Sequence, residues 1–554
     1  MKKIVSELIA KETKVPAEKI RDLIEIPPKE DMGDFAFPCF GLAKKEGKSP
    51  DLIAENLAEK LKGNLPKEIS GVDSNGAYLN FSINKTDFAK KVLIRARKKT
   101  AKENNFGKGK RIVIDMSSPN IAKPFGIGHL RSTIIGNSLG KICKANGFSV
   151  TKINYLGDWG TQFGKIILGF KKWGSETELK KNPVKYLYEL YVRANNKKYE
   201  KEAREEFKKL EMADEENLGL WKKFREISLK EFNKIYDLLG VRFDVISGES
   251  EYNSLLGDII KELKEKGLVK RDDGALIVNL KGEGLGVALI QKSDGTSLYV
   301  TRDLAAAKER KEKYKFHKMI YEVGQEQRLH FRQVFKILEK MGYKWAEDCI
   351  HVAHGLYLDN KGKKFATRKG KTIFMKDILE EVVEKAKKNL EEEKQLSKEE
   401  LNKRAKKIAL AAVYYGDLKN SRENDIIFDI DKFLKFEGDT GPYLLYSYAR
   451  ASSIVRKSAS KKKIKITKIQ NSEIRLLKKI DMFGDVVRKS YRQLAPNLIA
   501  NYCFELSKRF NEFYHTCPVL GSEEEGFRLK LVDAFRITLK KGLGLLGIGV
   551  LEEM

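Results

Sequence analysis

At 554 residues, with 41% hydrophobic and 34% charged side chains, the chain is too long for one core and too apolar for a disordered polymer, so three or so domains are expected. Lysine plus arginine outnumber aspartate plus glutamate by 108 to 78, a net charge of +30 and a pI near 9.5. That excess points to a polyanionic partner, nucleic acid first, with a lysine-rich composition bias as the bland alternative.

Residues 1–104 read as an autonomous α+β module. Ile4, Leu8 and Ile9 begin a helix, and Ser49-Pro50 precedes another with Ile53, Leu57 and Leu61 on one face. The stretch 77–83 alternates like a half-buried strand. After a basic linker at 95–110 comes an apolar run, Ile112-Val113-Ile114, ending in Asp115. A polar loop with Gly126 and Gly128 follows, and then Leu130, Ile134, Ile135, Leu139 and Ile142 recur at helical spacing. Strand, loop and helix in this order place backbone N–H groups and a positive helix end where a phosphate can sit. His129, in the first turn, can hydrogen-bond a phosphate oxygen.

The same rhythm repeats. A strand is expected at 150–155, then a charged, helical insertion at about 174–248. Strand 298–301, helix 303–314, strand 317–323, helix 326–341 and strand 350–357 follow. Such alternation implies a doubly wound parallel sheet, whose ligands bind beyond the carboxyl ends of the strands. The residues there, 115–120, 154–158, 301–303, 324–327 and 354–355, are mostly polar, as a site requires. Within the insertion, Tyr186, Leu187, Leu190 and Tyr191 form a packing face. Residues 274–299 read as strands with turns at 282–286 and 294–295. From 376 onward the pattern is helical, at 377–393, 398–416, 442–457, 472–494, 497–514 and 527–545, which makes a separate bundle. Its basic connector, 458–471, either touches RNA or stays solvated. The predicted fold is thus multidomain α/β: an N-terminal module (1–104), a Rossmann-like core (105–375) and an all-α C-terminal bundle (376–554).

The cysteines (Cys39, Cys143, Cys349, Cys503, Cys517) form no CxxC pair, which argues against a zinc site or disulfide framework and fits a reducing cytosol. Residues 1–14 are too charged for a signal peptide, and the longest apolar run, 542–551, is about half a membrane span. A cytoplasmic protein without a membrane segment is expected.

Two common nucleotide motifs fail on their own mechanics. The dinucleotide fingerprint needs its glycines directly after the strand and a small residue three places past the second; here about ten residues intervene and Arg131 holds that place. A P-loop fails because 136–141 has the wrong spacing and Ile142 stands where serine or threonine is required.

What remains resembles the first signature of class I aminoacyl-tRNA synthetases, His-Ile-Gly-His, with Gly126 in place of the first histidine. Ser117-Ser118-Pro119-Asn120-Ile121-Ala122-Lys123-Pro124-Phe125, followed by Gly128-His129-Leu130-Arg131-Ser132-Thr133, is similar to the arginyl-tRNA synthetase form in particular. So are Asn154-Tyr155-Leu156-Gly157-Asp158-Trp159-Gly160, Tyr299-Val300-Thr301-Arg302-Asp303, Val323-Gly324-Gln325-Glu326-Gln327 and Asp439-Thr440-Gly441-Pro442-Tyr443. Phe365-Ala366-Thr367-Arg368-Lys369-Gly370-Lys371 resembles the family's second signature, a mobile basic loop. These blocks fall in family order across most of the chain.

The resemblance implies an arginine–tRNA ligase that uses ATP with Mg2+, no zinc and no organic cofactor. It would form arginyl-adenylate and pass arginine to the 2′-hydroxyl of the terminal adenosine of tRNA(Arg), with tRNA bound before activation. It assigns catalysis to His129, Lys123, Arg368 and Lys369, and ATP binding to Gly126, Gly128, His129, His354, Gly355 and Thr367. Arginine would be held by Asp303 against the guanidinium with Tyr299 beside it, by Asn120 and Gln327 at the ammonium and carboxylate, with Asp115 nearby and Glu249 as a further candidate. Asp303 also reads as an ordinary helix N-cap. The bundle resembles the family's anticodon-binding domain, and the N-terminal module, through Gly33-Asp34-Phe35 and Ala77-Tyr78-Leu79-Asn80, its domain for the tRNA elbow. A monomer is expected. Two other readings stay open: a class I synthetase of another specificity, against which Asp303, Tyr299 and Gln327 speak, and a non-catalytic tRNA-binding paralogue, suggested by Gly126 and Ala366.

Overall fold

The computed structural model of the chain describes residues 1–98, 103–295, 299–364, 367–368, 371–372, 374–391, 396–458 and 465–554; at 30, 367, 368, 371 and 372 it describes the backbone alone. They fall into two compact units. One comprises Thr100–Arg450, Gly484–Glu505 and Leu539–Met554; the other comprises Met1–Lys99, Ala451–Phe483 and Leu506–Thr538.

The first unit is built on a five-stranded, wholly parallel sheet. Its strands are β1 (Arg111–Asp115), β2 (Ser149–Leu156), β3 (Val245–Gly248), β4 (Lys318–Gly324) and β5 (Cys349–His354). The spatial order is β5-β4-β1-β2-β3. Ile112, Val113 and Ile114 are fully buried, which is why β1 is a continuous apolar run rather than an alternating one. The chain runs outward from β1 to β3, then crosses to β4 on the other side of β1. The order therefore reverses between β1 and β4, and a crevice for ligand is expected beyond their carboxyl ends.

Helix α1 (Ile127–Ala145) follows β1, with Leu130, Ile134, Ile135, Leu139 and Ile142 all buried. Gly136 lets it settle on the end of the strand, because a Cβ there would lie 2.5 Å from Met116 Cβ. Five helices separate β2 from β3: Thr161–Trp173, Glu176–Lys181, Pro183–Ala194, Glu200–Glu211 and α2 (Glu215–Leu239). The insertion thus begins earlier than its charge suggests, and 245–248, read as its tail, is instead the edge strand β3. Four residues are too few to display a two-residue period. An antiparallel sheet of Lys270–Asp272, Ala275–Leu280 and Gly286–Gln291 follows, as the turn residues predict.

The strand expected at 298–301 is not formed. Residue 298 lies outside the described residues, and Tyr299 to Thr301 are the first turn of α3 (Tyr299–Tyr314). Tertiary packing overrides their β propensity: Val300 and Thr301 are buried, and Thr301 Oγ1 donates to Ile290 O at 2.6 Å. Asp303 is consequently in the second turn and is not an N-cap.

The second unit joins the N-terminal α+β segment to part of the helical bundle. A three-stranded antiparallel sheet with Tyr78–Ile83 in the centre packs on Pro50–Lys62. Lys85–Ala96 packs against Asn471–Asp481. Ion pairs fasten the two, Lys478 to Asp34 at 2.6 Å and Arg95 to Asp481 at 2.7 Å. Within the bundle, Phe510 and Phe535 stack at 3.9 Å, and Arg528 meets the fully buried Glu473 at 2.7 Å. The single helix read at 472–494 is two, Asn471–Asp481 and Phe483–Gln493. All five cysteines are buried free thiols. Among the described residues, no helix is long and apolar enough to cross a membrane.

Candidate active site

The loop leaving β1 has an unusual backbone. Three of its non-glycine residues have positive φ, Ser117 at 74°, Ser118 at 48° and Ala122 at 56°. Each costs about 1–2 kcal/mol for an L-residue, so the surroundings must impose the shape. They do so through side chains. The Ser117 N–H donates to Ser132 Oγ, whose hydroxyl donates to Glu322 O. Ser117 Oγ lies 2.8 Å from Tyr236 Oη, and the Ala122 N–H donates to Ser228 Oγ at 2.9 Å. Tyr236 and Ser228 both belong to α2, so the inserted helices hold the loop. Asn120 is pressed against the next strand end: a Cβ on Gly157 would lie 2.2 Å from Asn120 Oδ1.

The loop delivers the chain to the N-terminus of α1, where unpaired amides and the helix dipole favour an anion. Gly126 is the N-cap, and its N–H donates to His129 Nδ1 at 3.1 Å. A ring that accepts at Nδ1 carries its proton on Nε2, so His129 presents one donor outward. Burial, aided by His354 and Lys123, pushes its pKa down to about 4, and the ring is neutral at physiological pH. Lys123 lies 5.1 Å above the Tyr191 ring, and burial with neighbouring Lys165 lowers its pKa. Tyr191, on the packing face of the insertion, thus also lies under Lys123, a residue the sequence assigns to the site. The Phe125 ring packs on His129 at 5.3 Å.

His354 ends β5 and is buried, with Nδ1 2.9 Å from Glu322 Oε1 on β4. Gly355 is required by packing, since a Cβ there would meet Asn424 O at 2.6 Å. Thr367–Arg368 pairs antiparallel with Lys371–Thr372, forming the arms of the second-signature loop. Lys369, like Phe365, Ala366 and Gly370, lies outside the described residues.

A second group of charges gathers at the ends of β1 and β3 and on α3. Asp303 Oδ2 lies 2.5 Å from His330 Nε2. Glu249 follows β3, and its Oε2 has no hydrogen-bond partner among the described residues. Burial raises its pKa to about 8; Arg302 opposes this, while Asp303 and Asp158 add to it. Tyr299, in the first turn of α3, is exposed, as is Gln327 in the short turn Gln325–Gln327. Asp115 differs from the other predicted residues by turning inward. It is buried, bound to Arg310 at 2.8 Å and to Ser118 Oγ at 2.9 Å, so the chain's own guanidinium neutralises its charge. Arg131, in the third fingerprint position, is likewise structural, pairing with buried Asp417 at 3.3 Å. Among the described residues, no three His, Cys, Asp or Glu side chains converge as a metal site. Glu322 and His330 escaped the sequence reading, although an acid within Met319-Ile320-Tyr321-Glu322-Val323 interrupts a buried strand and was a visible signal.

Three family models together cover nearly the whole chain. "Arginyl tRNA synthetase N terminal domain" matches residues 1–83, "tRNA synthetases class I (R), catalytic domain" 90–430, and "DALR anticodon binding domain" 444–554. The chain is 44% identical to the arginine–tRNA ligase of Clostridium perfringens over 569 residues, covering 100% of both chains. The chain belongs to the arginyl-tRNA synthetase family. The Halothermothrix orenii arginine–tRNA ligase is 44% identical over 97% of this chain and 96% of its own length. Among solved structures of the family, the Thermus thermophilus arginyl-tRNA synthetase superposes with a TM-score of 0.84 at 25% identity, covering 100% of this chain and 99% of that one. The Plasmodium falciparum arginyl-tRNA synthetase gives 0.83 at 26%, covering 100% and 98%. The sheet with its order reversal is therefore a class I synthetase core.

Proposed function

We propose that the crevice beyond β1 and β4 binds ATP and arginine and makes arginyl-adenylate for transfer to tRNA. The activity is that of an arginine–tRNA ligase. The arginine carboxylate attacks the α-phosphorus of ATP, the bond to the β-phosphate oxygen breaks, and pyrophosphate leaves. A hydroxyl of the 3′-terminal adenosine of tRNA then attacks the activated carbonyl, and AMP leaves. No nucleophilic side chain is needed; alignment and neutralisation of developing charge carry the catalysis.

The observation that carries this reading is a neutral His129 at the amino end of α1, its Nε2–H directed away from the helix cap. It donates to a phosphate oxygen, with Lys123 and the α1 amides adding positive potential. Thr367, Arg368 and Lys369 hold the departing pyrophosphate. Gly126, Gly128, His354 and Gly355 border the nucleotide. Asp303 takes the guanidinium, with Tyr299 and Glu249 beside it, while Asn120 and Gln327 take the ammonium and carboxylate. Asp115 shapes the floor through Arg310. Mg2+ enters on the phosphates of ATP as part of the substrate, in keeping with its preference for phosphate and water oxygens. Residues 376–554 read the anticodon region and 1–104 the elbow, and phosphate contacts by basic side chains account for the +30 charge.

The test is charging and tRNA-dependent ATP–pyrophosphate exchange with each amino acid in turn. Arginine alone should support both reactions. Preference for another amino acid would place the chain elsewhere in class I, and background rates from folded protein would favour the non-catalytic reading.

A further inference from the structure

Gly126 leaves the first signature one imidazole short, and nothing in the backbone demands glycine there. Its φ of −87° and ψ of 169° are open to any residue, and a Cβ would meet only His129 Nδ1, at 3.9 Å. The place for a side chain exists and is unfilled.

A second imidazole ends β5, close enough to His129 for its field to act on that ring. His354 pairs in register with Gly324, the last residue of β4, one strand out from the β1–β4 reversal. Its Nδ1 is 2.9 Å from Glu322 Oε1. Its Nε2 lies over the end of β4, 3.8 Å from where a Cβ on Gly324 would be, a position that Glu326 Oε2 also approaches, at 2.7 Å.

Glu322 is a fully shielded carboxylate, and next to it Arg131 is a buried guanidinium paired with Asp417. Asp417 also accepts from Tyr357 Oη. The Glu322 carboxylate accepts from His354 Nδ1 and fixes the orientation of the ring, which leaves Nε2 as the edge turned away from Glu322.

We propose that Glu322 and His354 form a carboxylate–imidazole pair that gives ATP its second imidazole contact, in place of the side chain residue 126 lacks. Glu322 is the positioning residue and His354 the one that touches the nucleotide. The two rings are fixed in different ways, His129 by the Gly126 N–H and His354 by a carboxylate. The inference rests on the crevice being the ATP site.

Compensation tests it. His354→Ala should slow arginine- and tRNA-dependent ATP–pyrophosphate exchange about 100-fold, the usual loss for one preorganised contact, and leave the KM for arginine within about twofold. Glu322→Gln should slow it about tenfold by the same route. Gly126→His should then restore exchange in the His354→Ala background by at least about ten times the factor it produces in the parent, a coupling that independent sites would not give. If thermal melting shows that His354→Ala does not fold, His354→Gln and Glu322→Gln carry the same comparison. Full exchange in the His354 variants, or an equal effect of Gly126→His in both backgrounds, overturns the pair. Absence of arginine-dependent exchange in the parent would instead overturn the underlying reading of the site.

Discussion

Asp303 has one oxygen committed to His330, which leaves the other for a guanidinium. In the proposed site, removing it takes away the charge-assisted partner of arginine alone. Asp303→Ala should therefore raise the KM for arginine about 100-fold and that for ATP by less than about threefold, in steady-state exchange. His129→Ala should divide the other way. Its donor matters as charge builds on the phosphates, so kcat for exchange should fall about 100-fold, near 3 kcal/mol, with both KM values little changed. Glu249 adds a pH dependence whose sign follows from burial. Its pKa of about 8 is above the ordinary carboxylate value, so the free site is mostly protonated at neutral pH, and binding a cation there releases a proton. The KM for arginine should fall by up to about tenfold per unit as pH rises toward 8, then level off. Glu249→Gln should flatten the profile, and an unchanged profile would remove Glu249 from the arginine site. Residues 117–129 were legible because one contiguous motif holds them. Glu322 left a signal as an acid in an apolar strand, but its pairing with His354, 32 positions away, and that of His330 with Asp303, 27 positions away, arise only through the fold.

Elements were legible where a period runs long enough. Most bundle helices fall within about two residues of their expected ends, as usual for helix boundaries. β3 was missed for its brevity. The first turn of α3 was misread because Tyr299, Val300 and Thr301 favour strands locally and only docking on Ile290 makes them helical. The break at Met482 falls inside an uninterrupted apolar pattern, so no period marks it. What no pattern could reveal is the service of α2 to the site. Tyr236 Oη bonds both Ser117 Oγ and Asn154 Nδ2, and thereby holds the loop in its positive-φ form. Tyr236→Phe keeps the ring and strands a buried Asn154 donor, at about 1–3 kcal/mol. Exchange should slow about tenfold while tRNA affinity, read by filter binding, stays the same. A parallel loss of tRNA affinity would mean the helix acts on more than the loop.

At the scale of the molecule, the N-terminal α+β module that the sequence suggests shares its compact unit with part of the helical bundle, for a physical reason. The helix Asn471–Asp481 buries Ile474, Leu477 and Ile480, and it lies against Lys85–Ala96. Asp34 and Arg95 complete its charges at Lys478 and Asp481. A chain lacking residues 1–98 would expose that apolar stripe and leave half-buried charges without partners, which costs more than the loss of an RNA contact. The truncated protein should therefore unfold at lower temperature by calorimetry and aggregate in light scattering, and charging should be lost through misfolding. A milder variant separates the causes. Asp34→Asn removes one partner of Lys478 and keeps the apolar cover, so it should lower the melting temperature by a few degrees with charging retained, the scale expected for about 1 kcal/mol. A truncated chain that remains monodisperse, melts like the parent and has lost only affinity for tRNA would restore the autonomous module.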